Sequence, residues 1–319
     1  MAAAPGRSAT PANPDDLVLP FQTVASRMIG RVVRLGAVAD TILKRHDYPV
    51  PVSEILGEAL ALSALLGTAL NFEGRLIVQT RSDGPMGFLV TQFDTPGQVR
   101  GYASFDRDRI GAAAATRTEL LGTGHLAMTI DPGEGKERYQ GIVPLAAAST
   151  LTGAAETYFR QSEQLPTFIR LAVARHFVSG AGSDRGWHWR AGGIMVQHVA
   201  AEAASATETA EDEERLLGDA DDHWQRVRLL AATVEDHELT DPTLTPEVLL
   251  YRLFHEEGVR AMPARPIAAQ CRCSRERVHA FMRSFGAAEL SDMREPDGLI
   301  AVTCEFCNSK YRYTLDEIG

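Results

Sequence analysis

Cysteine is absent before position 271 of this 319-residue chain, so the larger part of the protein can hold neither a disulfide nor a thiolate ligand. No stretch approaches the roughly 18 apolar residues of a membrane span, and no membrane association is expected. Basic excess is missing too. The formal net charge is -10, whereas nucleic-acid binding rests on clustered Lys and Arg that neutralise phosphate. The opening MAAAPGRSATPANPDD lacks the apolar core of a signal peptide, so residues 1–14 are expected to be a disordered tail on a cytoplasmic protein. No Gly-x-x-x-x-Gly-Lys-Ser/Thr loop occurs, and Gly122-Thr123-Gly124 and Gly133-Glu134-Gly135-Lys136 read as turns between strands. No Ser/His/Asp or Cys/His triad can be assembled, and no enzymatic activity is expected.

What is present is a chain with 45% hydrophobic residues, enough for one sizeable core and a smaller module. Between Glu202 and Asp222 nine acidic residues face the single base Arg215, a net of -8 among Ala, Ser and Thr. Such a segment has too little apolar surface to offset its ordering entropy and reads as a flexible acidic linker, 202–222. Before it, Val24, Met28, Val32, Leu35, Val38 and Ile42 recur at helical spacing and predict a helix over 21–45, stopped by Pro49. A second helix is expected over 53–70 with Ser53 as its N-cap. Short β-branched and aromatic runs then predict strands at 75–80, 86–93, 98–104, 126–130 and 139–145, with turn residues such as Asp94-Thr95-Pro96-Gly97 between them. A helix over 150–164 and apolar runs at 168–173 and 194–199 complete residues 15–201. The expected class is α+β around a largely antiparallel sheet. Helices are expected at 224–234 and 246–257 within a helical segment 223–265, and at 276–285 within a terminal module 266–319.

All four cysteines lie in that module, as Cys271 with Cys273 and Cys304 with Cys307. Two close pairs of thiolates fill a tetrahedral zinc shell and leave no position for a substrate, and the Cys-Glu-Phe-Cys half has the knuckle spacing of structural zinc sites. The Cys-Arg-Cys half is tighter than usual. It can hold a metal when reduced, or close on itself as a strained and readily reduced ring. Arg272, Arg275 and Arg277 beside one pair, and Lys310 and Arg312 beside the other, are expected to favour thiolate. With four sulfurs available, His46, His255 and His279 are assigned capping, packing or surface roles. A competing reading is a zinc-ribbon nucleic-acid-binding protein, with 224–285 supplying helix-turn-helix pieces; acidity and the absence of a basic stripe weigh against it.

Cys271-Arg272-Cys273-Ser274, followed at a distance by Cys304-Glu305-Phe306-Cys307, closely resembles the heat-shock protein 33 family of redox-regulated bacterial chaperones. Supporting stretches include Val99-Arg100-Gly101-Tyr102, Tyr139-Gln140-Gly141-Ile142-Val143-Pro144-Leu145, Tyr158-Phe159-Arg160-Gln161-Ser162-Glu163-Gln164 and Arg252-Leu253-Phe254-His255-Glu256. The resemblance implies an ATP-independent holdase, zinc-bound and dormant when reduced. On oxidation it implies disulfides Cys304–Cys307 and Cys271–Cys273, loss of zinc, and unfolding of a redox-sensitive linker at 223–265. It further implies binding of unfolding client proteins, a homodimer formed through 15–201 when oxidised, and hand-over of clients to ATP-dependent chaperones. The loop 179–186 and the acidic linker look longer than the family's, and Ala268-Ala269-Gln270 lacks bulk.

Overall fold

The computed structural model describes residues 15–70, 73–112, 117–133, 135–146, 149–179, 185–198 and 222–318. The expected tail 1–14, the interior of the 179–186 loop and nearly all of the acidic linker lie outside the described residues.

The chain begins with a hairpin where a helix was expected. Strands β1 (Leu17–Thr23) and β2 (Ile29–Leu35) pair antiparallel, and only α1 (Ala37–Leu43) at the far end is helical. The reason is burial on both faces. Leu19, Phe21, Met28 and Val32 enter one apolar cluster, while Val18, Val33 and Leu35 enter another. A strand covered on both sides shows no polar alternation, and its apolar residues then match helical spacing by chance.

Helix α2 (Val50–Gly67) starts three residues before the expected cap. Ser53 is buried inside it and caps nothing, because Pro51 already sits in the first turn, where a missing N–H costs little. At the other end the Thr68 hydroxyl donates to the Ala64 carbonyl. By length and composition α2 could cross a membrane, but 83% of it is buried in the protein, as befits a core helix.

Around α2 stand two sheets instead of the single one expected. β3 (Arg75–Ser82), β4 (Phe88–Asp94), β5 (Gln98–Ser104), β6 (Gly124–Asp131) and β7 (Tyr139–Leu145) form an antiparallel set ordered β5-β4-β3-β6-β7. Short helices α3 (Arg107–Ala112) and α4 (Arg117–Leu121) connect β5 to β6. Helix α5 (Leu151–Tyr158), capped by Thr150 and extended by a π turn at Phe159–Glu163, leads into β8 (Thr167–Val178) and β9 (Gly186–Gln197), which join β1 and β2 in the order β1-β2-β9-β8.

Downstream, helices α6 (222–232), α7 (Asp236–Thr240) and α8 (Pro246–Phe254) cover the outer face of the β1-β2-β9-β8 sheet. Trp224, Val227, Ala231, Leu239, Leu249 and Phe254 pack there against Leu19, Phe21, Val32, Ile194 and Val196. At about 1.5–3 kcal/mol per large buried apolar side chain, this layer is a substantial part of the fold. Arg34 is buried beneath it and donates to the carbonyls of Leu244, Asp241 and Glu238. Arg190 donates to the Thr240 carbonyl at 2.6 Å. Two guanidinium groups thus satisfy the carbonyls left open at and just beyond the C-terminal end of α7. Gly192 permits this approach, since a Cβ there would meet the Leu239 carbonyl oxygen at 2.1 Å.

The 223–265 segment also contributes strands: β10 (Val259–Ala261) and β11 (Arg265–Pro266) pair with β1. β12 (Ala268–Ala269) then pairs in parallel with β5, at the edge of the second sheet. The small residues of Ala268-Ala269 suit this close approach, as does Gly97, where a Cβ would meet the Pro266 carbonyl oxygen at 2.1 Å. Past it lies the terminal module: α9 (Arg275–Met282), α10 (Ala287–Asp292), the hairpin β13 (Ile300–Thr303) with β14 (Lys310–Tyr313), and α11 (Leu315–Ile318). Its own buried apolar cluster is Met282, Leu290, Ile300, Tyr313 and Ile318.

Candidate metal centre and its docking on the core

Two turns deliver the sulfurs. Cys271 and Cys273 lie on the extended segment between β12 and α9, whose N-terminus is capped by Ser274 accepting from the Arg277 N–H. Cys304 and Cys307 lie in the turn between β13 and β14, closed by the Asn308 N–H on the Cys304 carbonyl at 2.7 Å and by the Cys304 N–H on the Ser309 carbonyl at 2.9 Å. Asn308 takes the left-handed conformation (φ 58°) that such a knuckle requires.

The four sulfurs all lie within 4.8 Å of one another. A tetrahedron with metal–sulfur bonds of about 2.3 Å has sulfur–sulfur edges of about 3.8 Å. Cys271 and Cys304 are 3.7 Å apart, and Cys273 and Cys307 3.1 Å. Both are well beyond a covalent S–S bond of about 2.05 Å, and the thiols are free. Donor number, donor softness and spacing therefore fit a structural zinc ion. The expected histidines stand elsewhere. His46 packs against Tyr48 and Tyr102, His255 against Tyr251, and His279 Nε2 bonds the Glu317 carbonyl.

Electrostatics shows what a cation would add. Burial pushes the Cys273 thiol up to about 12, a rise that the three neighbouring thiols reinforce and the Tyr311 hydroxyl, 3.1 Å away, only partly offsets. Burial likewise raises Cys304. Cys307 is the exception. Burial would raise it as well, but the Ser309 hydroxyl at 3.2 Å and the Ser309 backbone N–H, together with the Cys273 and Cys304 thiols, hold it near 6. The cluster alone thus favours the thiolate at Cys307 and disfavours it at Cys273 and Cys304, and a bound cation is what lets four thiolates share a site.

The flanking arginines do not play the part expected of them. Arg272 pairs with Asp94 at 2.9 Å, Arg275 with Glu317 at 3.1 Å, and Arg312 with Glu295 and Asp297. Arg277 donates to the Arg272 carbonyl. Their guanidinium groups are engaged by these partners and not by the sulfurs. The guanidinium that does reach a sulfur comes from the core: Arg100 Nη1 lies 3.7 Å from Cys271 Sγ.

Arg100 on β5 is the centre of a docking contact that sequence reasoning missed. It stacks over the Phe306 ring at 4.0 Å and is oriented by the Gln92 side-chain oxygen. Nearby, Asp94 bridges Arg75 and Arg272, Tyr102 bonds Glu305, and Asn308 donates to the Arg45 carbonyl at 3.0 Å. Both cysteine turns therefore rest on the edge of the second sheet. Arg100 and Cys271 are 171 positions apart, a separation that local pattern cannot bridge; the only available signal was that Val99-Arg100-Gly101-Tyr102 is one of the family-like stretches.

Comparison with known proteins agrees with this architecture. The Hsp33 protein family model matches residues 16–314. The 33 kDa chaperonin of Caulobacter vibrioides (strain NA1000 / CB15N) is 45% identical over 304 residues, covering 93% of this chain and 94% of that protein. The 33 kDa chaperonin of Pseudomonas putida (strain F1) is 36% identical over 291 residues, covering 91% and 88%. The crystal structure of the 33 kDa chaperonin from Thermotoga maritima superposes with a TM-score of 0.71 at 22% identity, covering 95% of this chain and 96% of that one, which supports the fold. With the family match running from the first strand to the last hairpin and a four-cysteine cluster at its end, this chain belongs to the Hsp33 family of chaperones.

Proposed function

We propose that this chain is a redox-regulated, ATP-independent holdase. It is dormant with Cys271, Cys273, Cys304 and Cys307 reduced on zinc, and active when they are oxidised. The observation that carries the reading is the apolar layer between 222–254 and the outer sheet face, joined along the chain to a module that carries the four-sulfur cluster. When bound, zinc supplies the positive charge and the cross-link for the four thiolates. The chain's own part is to favour ionised Cys307 through Ser309, which makes it readier than Cys273 or Cys304 to meet an oxidant.

With hydrogen peroxide as oxidant, each disulfide forms as two thiolates give up two electrons, and the peroxide takes these with two protons from solvent and leaves as two waters. Which sulfurs join depends on whether the module is folded at that moment. In the folded arrangement two close separations run between the two turns, Cys271 to Cys304 at 3.7 Å and Cys273 to Cys307 at 3.1 Å. Those bonds would staple the module. Once the module loosens, the partner two or three residues along the chain is reached far more readily than one 33 or 34 residues away. The proposed pairs are therefore Cys304–Cys307 and Cys271–Cys273. They leave no thiolate for a metal and no link between the turns.

A loosened module lets go of Arg100 and Asp94, and with it the strands β10 to β12 and the helices α6 to α8 lose their anchor. Leu19, Phe21, Val32, Ile194 and Val196 on the sheet, and the apolar faces of the freed helices, would then present a patch of the kind that binds unfolding proteins without sequence preference. The proposed partners are such clients, a second copy of the chain in the oxidised state, and ATP-dependent chaperones that take the clients on. The proposed setting is the cytoplasm, and the action is binding without catalysis. The test is light scattering of a heat-denatured client with the reduced, zinc-loaded chain and with the peroxide-treated chain. Protection by the oxidised form alone is expected, and equal protection by both ends the proposal.

A further inference from the structure

Between the β1–β2 hairpin and the strap 262–266 that leads toward the cysteine turns lies a cavity of about 460 Å³. Its walls include Pro20, Ile29, Met262 and Pro263, with Arg31 and Arg265. The lining holds no carboxylate. Arg31 sits opposite Pro20 across the hairpin, and its Nε is buried without a hydrogen-bond partner among the described residues. Arg265 donates one N–H to the Thr68 carbonyl at the end of α2, 2.6 Å away, which leaves its other guanidinium N–H groups for a ligand. Burial, and after it the neighbouring charge of Arg265, lower the Arg31 pKa to about 10. That is the mark of a cation held without its counter-ion.

Two guanidinium groups over an otherwise apolar cavity are a recognition surface for one chemistry. Planar N–H forks match a carboxylate in two-pronged geometry, and apolar walls reward a hydrocarbon body. The volume lies inside the range of about 300–1,000 Å³ that small-molecule sites occupy. A free phosphate would leave the apolar walls unused, and a neutral alcohol would leave Arg31 unpaired. We propose that the folded, reduced chain binds a small single-chain carboxylate with an apolar tail here, its head group between Arg31 and Arg265.

The test uses the full-length, zinc-loaded, reduced protein and decanoate kept below its micellar concentration, titrated by calorimetry alongside decanol and inorganic phosphate. Saturable binding of one decanoate per chain is expected, with decanol and phosphate each weaker by at least about tenfold. Arg31→Met should weaken decanoate by a similar factor while leaving decanol unchanged, and Arg31→Lys should restore part of the loss. Met262→Glu, which brings a carboxylate to the half-exposed mouth, should abolish decanoate binding without removing either guanidinium. Decanol binding as tightly as decanoate, phosphate binding as tightly, non-saturable uptake, or indifference to both Arg31→Met and Met262→Glu would each overturn the assignment. No oxidation is involved, so this result stands apart from that of the redox test.

Discussion

The helix α2 and the terminal module show two ways of holding a chain together. α2 alone buries fifteen of its eighteen residues between two sheets, whereas the whole stretch from Arg275 to Ile318 has an apolar cluster of five buried residues. The first is stabilised by burial and is indifferent to redox state. The second has little apolar burial to set against its ordering entropy, and on the proposed function a cross-link between the two turns makes up the difference. The helices α6 to α8 lie between these regimes, with apolar packing like the core's and a chain connection to the module through β10, β11 and β12. On the proposed function, a chemical change at four sulfurs is thereby converted into the uncovering of a sheet face.

The contrast is sharpest at the sulfurs. Cys273→Ser should remove zinc and unfold residues 271–318 while leaving the two sheets intact, because structural zinc contributes roughly 10–16 kcal/mol of apparent folding free energy. Limited proteolysis with metal quantitation checks this, and a protease-resistant, zinc-free module would break the comparison. Next in size, Arg34→Met should strip three carbonyls of their donor and weaken linker docking by about 3 kcal/mol. The reduced protein should then suppress client aggregation while its zinc is still bound. Finding this variant dormant would mean that the layer is not held where Arg34 places it.

Smaller effects probe the contact between the two regimes. Phe306→Ala removes the ring beneath Arg100 and should weaken docking by about 1 kcal/mol, which corresponds to roughly fivefold faster activation at fixed peroxide. Unchanged activation kinetics would take Arg100 out of the account. Smallest is the ion pair of Glu257 with Arg226, which ties the loop after α8 to α6. Burial favours the neutral acid, but the hydrogen bonds from Arg226 and Ser26 outweigh it and hold Glu257 below its ordinary 4.5. A lowered folded-state pKa means that this stabilisation is present above pH 4.5 and fades as pH falls through the lower folded value. Arg226 is half exposed, so about 1 kcal/mol at most is at stake. Glu257→Gln should flatten the acid limb of a linker-unfolding curve, and an unchanged limb would remove this pair from the docking contacts.

Legibility followed locality. β5 and β7 stand where their residues predicted, because each is a short run bounded by turn chemistry at Asp94-Thr95-Pro96-Gly97 and Asp131-Pro132-Gly133. Thr245 and Pro246 announced the start of α8, and the Thr245 hydroxyl accepts there from the Val248 N–H. The β1–β2 hairpin was misread as a helix because its burial on both faces erased the alternation that marks a strand. The sulfur cluster was legible from spacing alone. Its seat on Arg100, Asp94 and Tyr102 was not, since those groups meet it only after the chain has crossed both sheets, and the charge of Arg272 was misassigned because its partner Asp94 lies far back in the sequence.

The central claim is that the module's fold, and with it the cover over the outer sheet face, lasts only while the four sulfurs remain reduced and cross-linked. Hydrogen–deuterium exchange on the full chain before and after peroxide, resolved by peptide, tests it directly. The account predicts protection lost across 222–318 and retained across 75–104 and 50–67. Protection kept across 271–318 in the oxidised chain, with disulfides running between the two turns, would contradict it.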